Sequence, residues 1–502
     1  MELAFEQKQQ SCLKRTAHLS LAQEQTQELI IPDSMPDAAR TLICYAEPEV
    51  QSKTNRTGSL LVTGTLRASC LYADDAGGLQ TLSSELPFTV KLECAEMQEE
   101  TKTLVRCCVR SADSRLINSR KVLLRVTILI QADGYEPQSE STSVMKDSPA
   151  CLQMKTQTYE TAVPVELAER VFQVSEELNL PDGRPQIAKL IDHALTPVIQ
   201  EQGLVGSKAV LKGTANLQIT YLDEENALRT LNFSVPFSQY CQMEGDYAQD
   251  ETLESALLVT GVQLEPVASE QSQKLLFGAG LLAQCMVVQP QTITLCEDAY
   301  TTKGEFQPQW AEQERTMRLD AQTLREPVRT AFPAQAASVL DCRLYPDAQA
   351  LERTDNSVTI HVPLRADVIY TDLDGTVQAE TYRTEVSCAT ALNENGLCEA
   401  VFSLQPEGYA VAGSGTVDLR YDAVFQVQTY SRQKLQNLSG GTLDLTKQPR
   451  GQRPSVVIRR MSENAALWDL ARQYRTTAQS IQQANHLAQP EADAGRLLLI
   501  PM

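Results

Sequence analysis

The sequence predicts a mainly β chain: three tandem antiparallel β-sandwich-like repeats followed by a small βααβ domain. Three observations predict it. A twelve-residue alternating pattern occurs three times, its copies lie 149 residues apart, and the tail changes to helical periodicity.

The pattern is Leu61-Val62-Thr63-Gly64-Thr65-Leu66-Arg67-Ala68-Ser69-Cys70-Leu71-Tyr72, which recurs from Val210 to Tyr221 and from Thr359 to Tyr370. The closing tyrosines, Tyr72, Tyr221 and Tyr370, are each separated by 149, and Pro32-Asp33…Pro36 recurs as Pro181-Asp182…Pro185 at the same offset. Val62, Gly64, Leu66, Ala68, Cys70 and Tyr72 alternate with mainly polar residues. Successive side chains of a strand point to opposite faces, so this specifies a long strand with one buried side. Turns follow at Asp74-Asp75-Ala76-Gly77-Gly78, Asp223-Glu224-Glu225-Asn226 and Asp372-Leu373-Asp374-Gly375, residues that favour chain reversal. Return strands are expected to end at Pro87-Phe88 and Pro236-Phe237. The third copy has Glu385-Val386 there and Val362 in place of the glycine, and is read as divergent. Further strand-like runs, Val122 to Ile130, Leu275 to Val288 and Val417 to Tyr430, complete each unit.

A chain of 502 residues is too long for one core and is expected to hold three to five units. The spacing places repeat 1 at 1–150 (core about 20–134), repeat 2 at 160–300, repeat 3 at 312–447 and the small domain at 453–502. Glu136 to Ser143 and Ser439-Gly440-Gly441 to Pro454 have linker composition, and the second repeat is expected to begin near Pro164.

Apolar residues make up 42 % and charged residues 22 %, which places the chain among globular proteins. The net charge of −20 speaks against nucleic acid, whose backbone demands a surplus of Lys and Arg. Residues 453–502 hold six Lys/Arg against four Asp/Glu, leaving 38 against 60, or −22, in the rest. The opening residues carry no signal-peptide pattern and no stretch has the apolar length of a membrane helix, so a cytoplasmic location is expected. The 13 cysteines are scattered from Cys12 to Cys398, and reduced structural thiols are expected.

From Val456 the tail reads strand (Val456 to Ile458), helix (Asn464 to Tyr474), helix (Thr477 to Asn485), strand (Leu497 to Ile500). Leu467, Leu470, Ala471 and Tyr474 form one apolar stripe at helical spacing. With Asn485 after the second helix, Gly495 at a turn and the closing Arg496-Leu497-Leu498-Leu499-Ile500-Pro501, the module resembles a LysM domain. That resemblance implies a site made by the loops entering the first helix and leaving the second: Glu463, Asn464, Ala465, Ala466 and Trp468, then Asn485, His486 and Gln489. It implies two ligand classes, the N-acetylglucosamine glycan of peptidoglycan or a protein groove. Asn464-Ala465-Ala466 stands where such modules carry Gly-Asp-Thr/Ser, which removes a flexible glycine and a carboxylate and hydroxyl able to bond sugar. Trp468 is read either as a partner anchor, a position in which tryptophan is enriched, or as packing within the small domain.

Glu28-Leu29-Ile30-Ile31-Pro32-Asp33-Ser34-Met35-Pro36-Asp37-Ala38-Ala39-Arg40, the Gly64 to Tyr72 strand and Pro87-Phe88 resemble the SPOCS repeat of spore-coat morphogenetic proteins. Several such repeats before one LysM module is the layout of the SipL-type family. The resemblance implies a non-enzymatic coat-assembly scaffold at the mother-cell side of the forespore surface. Its partners would be a coat morphogenetic ATPase of the stage-IV sporulation protein A type and other coat proteins, with self-association through the repeats. Other readings are a peptidoglycan-binding envelope protein and a baseplate component tethered by LysM.

No catalytic pattern competes with this. His18, His193, His361 and His486 lie far apart, no metal-ligand spacing occurs, and no nucleophile elbow, Walker loop or dinucleotide fingerprint is present. No cofactor and no metal are expected.

Overall fold

The computed structural model describes residues 2–181, 183–248, 251–267, 274–393, 395–413, 415–447, 454–461, 466–487 and 495–502. It is mainly β, as the alternation requires. In the first repeat β1 (Phe5–Ile30), β6 (Lys121–Met145) and β5 (Lys102–Asn118) form one antiparallel sheet, and β2 (Ala38–Arg56), β3 (Ser59–Asp74) and β4 (Leu79–Glu93) the other. The second has β7 (Leu152–Asn179), β11 (Lys274–Thr301) and β10 (Thr252–Val267) facing β8 (Lys189–Leu222) and β9 (Leu228–Tyr247). β8 doubles back at Gly206, whose φ of +58° suits glycine; the Ala188 N–H consequently donates to the Leu222 carbonyl at 2.9 Å. The third has β12 (Glu305–Pro333), β18 (Thr416–Asp444) and β17 (Gly396–Gly413) facing β13 (Ala336–Pro346), β14 (Ala350–Arg353), β15 (Ser357–Asp372) and β16 (Val377–Ala391). The tail is β19 (Val456–Arg460), α1 (Leu467–Tyr474), α2 (Ala478–Ala484) and β20 (Leu497–Pro501).

Each pair of sheets encloses a core built from the alternating positions. Val62, Leu66, Ala68, Cys70 and Tyr72 in the first, and Ile360, Val362, Leu364, Ala366 and Val368 in the third, are almost wholly removed from water. At about 25 cal/mol per Å² of apolar surface, each such aliphatic side chain contributes roughly 1.5–3 kcal/mol. Three buried tyrosines end the pattern, and the phenols of Tyr72 and Tyr221 donate to the Pro36 and Pro185 carbonyls at 3.1 Å, which explains the shared proline spacing. The turns repeat too. The leading Asp of each accepts two backbone N–H groups: Ala76 and Gly78 on Asp74, Glu225 and Ala227 on Asp223, Asp374 and Thr376 on Asp372.

The divergence of the third repeat is a reciprocal exchange of volume. Gly64 faces Phe88 across β3 and β4, and Gly213 faces Phe237. A Cβ at Gly64 would meet the Glu49 carbonyl at 2.2 Å and Phe88 Cζ at 2.6 Å; at Gly213 it would meet Val198 O at 2.0 Å and Phe237 Cζ at 2.8 Å. In the third repeat the facing pair is Val362 and Val386. The smaller Val386 makes room on one side, and on the other the strand breaks between β13 and β14, so its backbone no longer crowds position 362.

Four boundaries differ from the sequence reading. The return strands do not end at the Phe: β4 continues to Glu93 and β9 to Tyr247. Glu136 to Ser143 is no linker but part of β6, paired with Ser11 to Lys14 and neighbouring residues of β1. Likewise β7 begins at Leu152, ahead of Pro164, and Ser439-Gly440-Gly441 lies inside β18. These polar runs are the far ends of strands of 25 to 29 residues. Their alternate residues are solvated, while the intervening ones bond between repeats: the Asn437 side-chain amide donates to Ser143 O at 2.9 Å and the Cys296 N–H to Asn437 Oδ1 at 3.0 Å. Polarity here marks contact between arms of the fold, not freedom.

The repeats close on one another around a common seam. Positions Ile43, Asp192 and Asp341 are equivalent at the 149 spacing, as are Leu42, Ile191 and Leu340, and Leu79, Leu228 and Val377. All of the second and third sets belong to a single apolar cluster shared by the three repeats. Leu71 and Ile369 join it, so β3 and β15 bury both faces near their ends where the reading gave them one. Beside the cluster Asp192, almost fully buried, accepts from Arg67 at 2.7 Å and Arg343 at 3.2 Å, one carboxylate holding arginines of both other repeats. Asp341 accepts from Gln218 at 3.0 Å and Thr220 at 3.1 Å of the second repeat. Next to Asp192, burial lowers the His193 imidazole to about 3, with Arg67 and Arg343 adding to the shift, so it is neutral at physiological pH.

Candidate docking surface

The tail folds because two short helices cover one side of a two-stranded sheet. Leu467, Leu470 and Ala471 of α1 and Ile481 of α2 pack on Leu498 and Ile500, the alternate residues of β20. Thr477 caps α2, its hydroxyl accepting the Ser480 N–H at 3.0 Å. α1 begins at Leu467, with Ala466 extended before it (φ −79°, ψ 149°) and offering no side-chain cap, while Asn464, the helix start read from the sequence, lies outside the described residues. α2 ends at Ala484, where Asn485 is the C-cap.

Of the residues read as a binding site, Glu463, Asn464, Ala465 and Gln489 lie outside the described residues. Ala466 is exposed at the start of α1. Asn485 ties α2 to the sheet: its amide donates to Ile481 O at 2.7 Å and Leu499 O at 2.6 Å, and its oxygen accepts the Leu499 N–H at 2.7 Å. His486 follows in a left-handed conformation, φ +50°.

Trp468 faces the repeats. Its ring meets Tyr300 edge-on, centroids 4.9 Å apart at 69°, and its Nε1 donates to Asp298 at 2.7 Å. Arg472, one turn on, donates to the same carboxylate at 2.8 Å. The Tyr300 phenol, which burial pushes up to about 12, donates to the Thr476 carbonyl at 2.8 Å. Arg475 reaches the Gly304 carbonyl at 3.0 Å. Together these contacts make a second-repeat receptor for the helical side of the tail. Sequence reasoning missed Asp298 and Tyr300: they stand about 170 residues from their partners and no local sequence pattern marks them; in the structure they follow a β-bulge between Cys296 and Asp298.

Docking by the helices leaves the other face of β19 and β20 bare. Val456 and Ile458 alternate outward on β19, Leu497 and Leu499 on β20, and all four are exposed. Arg460 shares this face opposite Leu497, held by a 3.2 Å bond to the Gly495 carbonyl, while Arg459, paired with the buried Leu498, alternates to the helix side.

Elsewhere the arms border a half-open pocket of about 330 Å³ lined by Phe5, Met145, Met154, Thr294 and Asn437 among others. The histidines stay apart: His18 bonds Asp133 at 2.6 Å, His361 lies between Glu352 and Glu385, and His193 is in the seam. All 13 cysteines are unbridged. Among the described residues no group of three or more His, Cys, Asp or Glu is arranged to hold a metal, and no helix is long and apolar enough to cross a membrane.

Family models agree with this architecture. The model of the SipL SPOCS domain matches residues 37–117 and 186–262, two regions whose starts are 149 apart, and the LysM domain model matches 466–501. No curated protein and no solved structure matches the chain.

Proposed function

For a chain that carries SipL-type SPOCS repeats and a C-terminal LysM domain, we propose a non-enzymatic role in sporulation, as a scaffold for assembly of the spore coat. The matching families are binding and scaffold domains. The observation that carries the reading is the pairing of these two domain types in one chain, with the LysM module fixed to the repeats through Trp468, Arg472 and Tyr300. A module held in this way presents its remaining surface in a set direction, which lowers the ordering cost of docking on a large assembly.

The partner proposed for the LysM module is a coat morphogenetic ATPase polymerised on the forespore, with other coat proteins recruited by the repeats in the mother-cell cytoplasm. Ala466, Asn485 and His486, with Glu463, Asn464, Ala465 and Gln489, remain the proposed contact set. In that setting Trp468 serves by orienting the module against Tyr300. The alternative ligand, peptidoglycan glycan, follows from the LysM match. A co-sedimentation assay of the full chain with ATPase filaments and, separately, with purified peptidoglycan distinguishes the two. Saturable binding to filaments that a chain lacking residues 453–502 does not show is the expected result. Binding to peptidoglycan alone would replace the protein partner with a glycan.

A further inference from the structure

The half-open pocket of about 330 Å³ is walled by arms of all three repeats: β1 and β6 of the first, β7 and β11 of the second, β18 of the third. It draws its lining from two small apolar clusters. Phe5, Met145 and Met154 come from the cluster around Leu3, Leu152 and Leu443, and Ile293 from the one it forms with Leu295 and Leu435. Val144, 45 % exposed, adds to the carbon surface facing this space. The two unbranched thioether side chains adapt readily to the shape of a bound chain. At roughly 30 Å³ per heavy atom, the share a water molecule takes in the liquid, the pocket has room for about eleven heavy atoms.

Several polar groups of the lining are already engaged. Thr142 accepts from Arg315 at 3.3 Å, Ser143 from Gln7 at 2.8 Å, and Thr294 bonds Thr158 at 3.3 Å, while Asn437 is spent on Ser143 O and the Cys296 N–H. Lys8 differs. It is the one charged residue of the lining, and in a chain of net charge −20 no carboxylate lines the pocket. Among the described residues its ammonium has no hydrogen bond or ion pair, not even with Glu6 two residues earlier. Gln10 and Thr292, which continue into an adjoining polar groove, have side chains without a protein partner among the described residues as well. The carboxylate of that groove, Glu251, is occupied by the Gln289 amide and the Ala248 N–H. An apolar pocket with a few polar groups at one side orients a ligand that is apolar along most of its length. One cation with an amide and a hydroxyl balances a single negative charge, so the head group is a carboxylate and not a phosphate dianion.

We propose that this pocket binds an aliphatic monocarboxylate of about eight carbons, its chain against Phe5, Met145 and Met154 and its carboxylate on Lys8. The inference concerns the arms of the repeats and holds whichever partner the LysM module takes.

Isothermal titration of the full chain with sodium octanoate, below its micelle concentration, tests it. The expected result is saturable binding at a single site per chain, with 1-octanol and butyrate each at least roughly tenfold weaker. Lys8→Glu is expected to weaken octanoate by roughly tenfold or more and to leave 1-octanol unchanged, which separates the charged head from the chain. Val144→Trp and Thr156→Trp, two separate variants at exposed positions of the lining, fill the pocket and are expected to abolish binding of both compounds. Circular dichroism confirms that each variant is folded. Octanoate heats that do not saturate, several octanoates per chain, 1-octanol bound as tightly as octanoate, or octanoate binding undiminished in both tryptophan variants would overturn the proposal.

Discussion

The chain holds itself together by two seams of different character. Between repeats the seam is buried and charged: Asp192 is shared by Arg67 and Arg343, flanked by an apolar cluster drawn from all three repeats. Between repeats and LysM domain it is small and partly wet, an aromatic pair with a few hydrogen bonds, and Arg472 is largely exposed. Removing one partner from a buried pair strands the other charge, whereas an exposed pair falls back on water. The first seam makes three repeats one body; the second positions a module and leaves it detachable.

Asp192→Ala is expected to have the largest effect. It leaves two arginines without their shared carboxylate and is predicted to cost about 3–5 kcal/mol, seen by denaturant unfolding as one transition of the whole body. Separate unfolding of three repeats, with two unaffected, would contradict a common seam. Tyr300→Ala is next, at about 2 kcal/mol from the lost aromatic pair and hydrogen bond. Here the body's unfolding midpoint should stay put while amide exchange in Leu467 to Tyr474 accelerates, and loss of body stability would mean that the second seam is as integral as the first.

The seam also predicts a pH dependence. The folded His193 value near 3 lies below the usual value of 6.5, so the unfolded chain takes up the proton first as the solution is acidified. Its contribution is full above 6.5 and declines as the pH falls toward 3, by about 1.4 kcal/mol per pH unit at most. The first and third repeats carry Cys44 and Cys342 at this position, so His193→Cys is a substitution the fold already accommodates. The stability difference between wild type and this variant should shrink or reverse on acidification from pH 6 to 4. A difference independent of pH would take His193 out of the acid response. The smallest effect belongs to Arg472→Ala, below about 1 kcal/mol and abolished by salt, measurable by the same amide exchange in α1.

The strands, the 149 spacing and the helical stripe of the LysM module were legible because each is a local pattern with one physical cause, a buried face. The shared spacing of Pro36 and Pro185 was visible too, although its cause, the bonds from the Tyr72 and Tyr221 phenols, was not. What escaped reading is what joins the parts. Glu136 to Ser143 has the composition of a linker because the surface it meets is another polar arm, so no apolar alternation announces it. Asp192 looks like any charged residue in a strand until Arg67 and Arg343 arrive from 125 and 151 positions away. For the candidate site, Trp468 stood out in sequence, but its neighbour Tyr300 did not, and only the pair shows which way the tryptophan faces.

The equivalence of Ile43, Asp192 and Asp341 has a consequence for how such a body can arise. Three separate copies of one repeat, meeting about an axis, must place the same residue at all three positions, and three aspartates there would repel while three isoleucines would offer no carboxylate to an arginine. Fusion into a single polypeptide releases that constraint. Each position can then be chosen alone, and an arrangement forbidden to a symmetric trimer, with one apolar and two acidic corners, becomes available to a chain that counts its repeats.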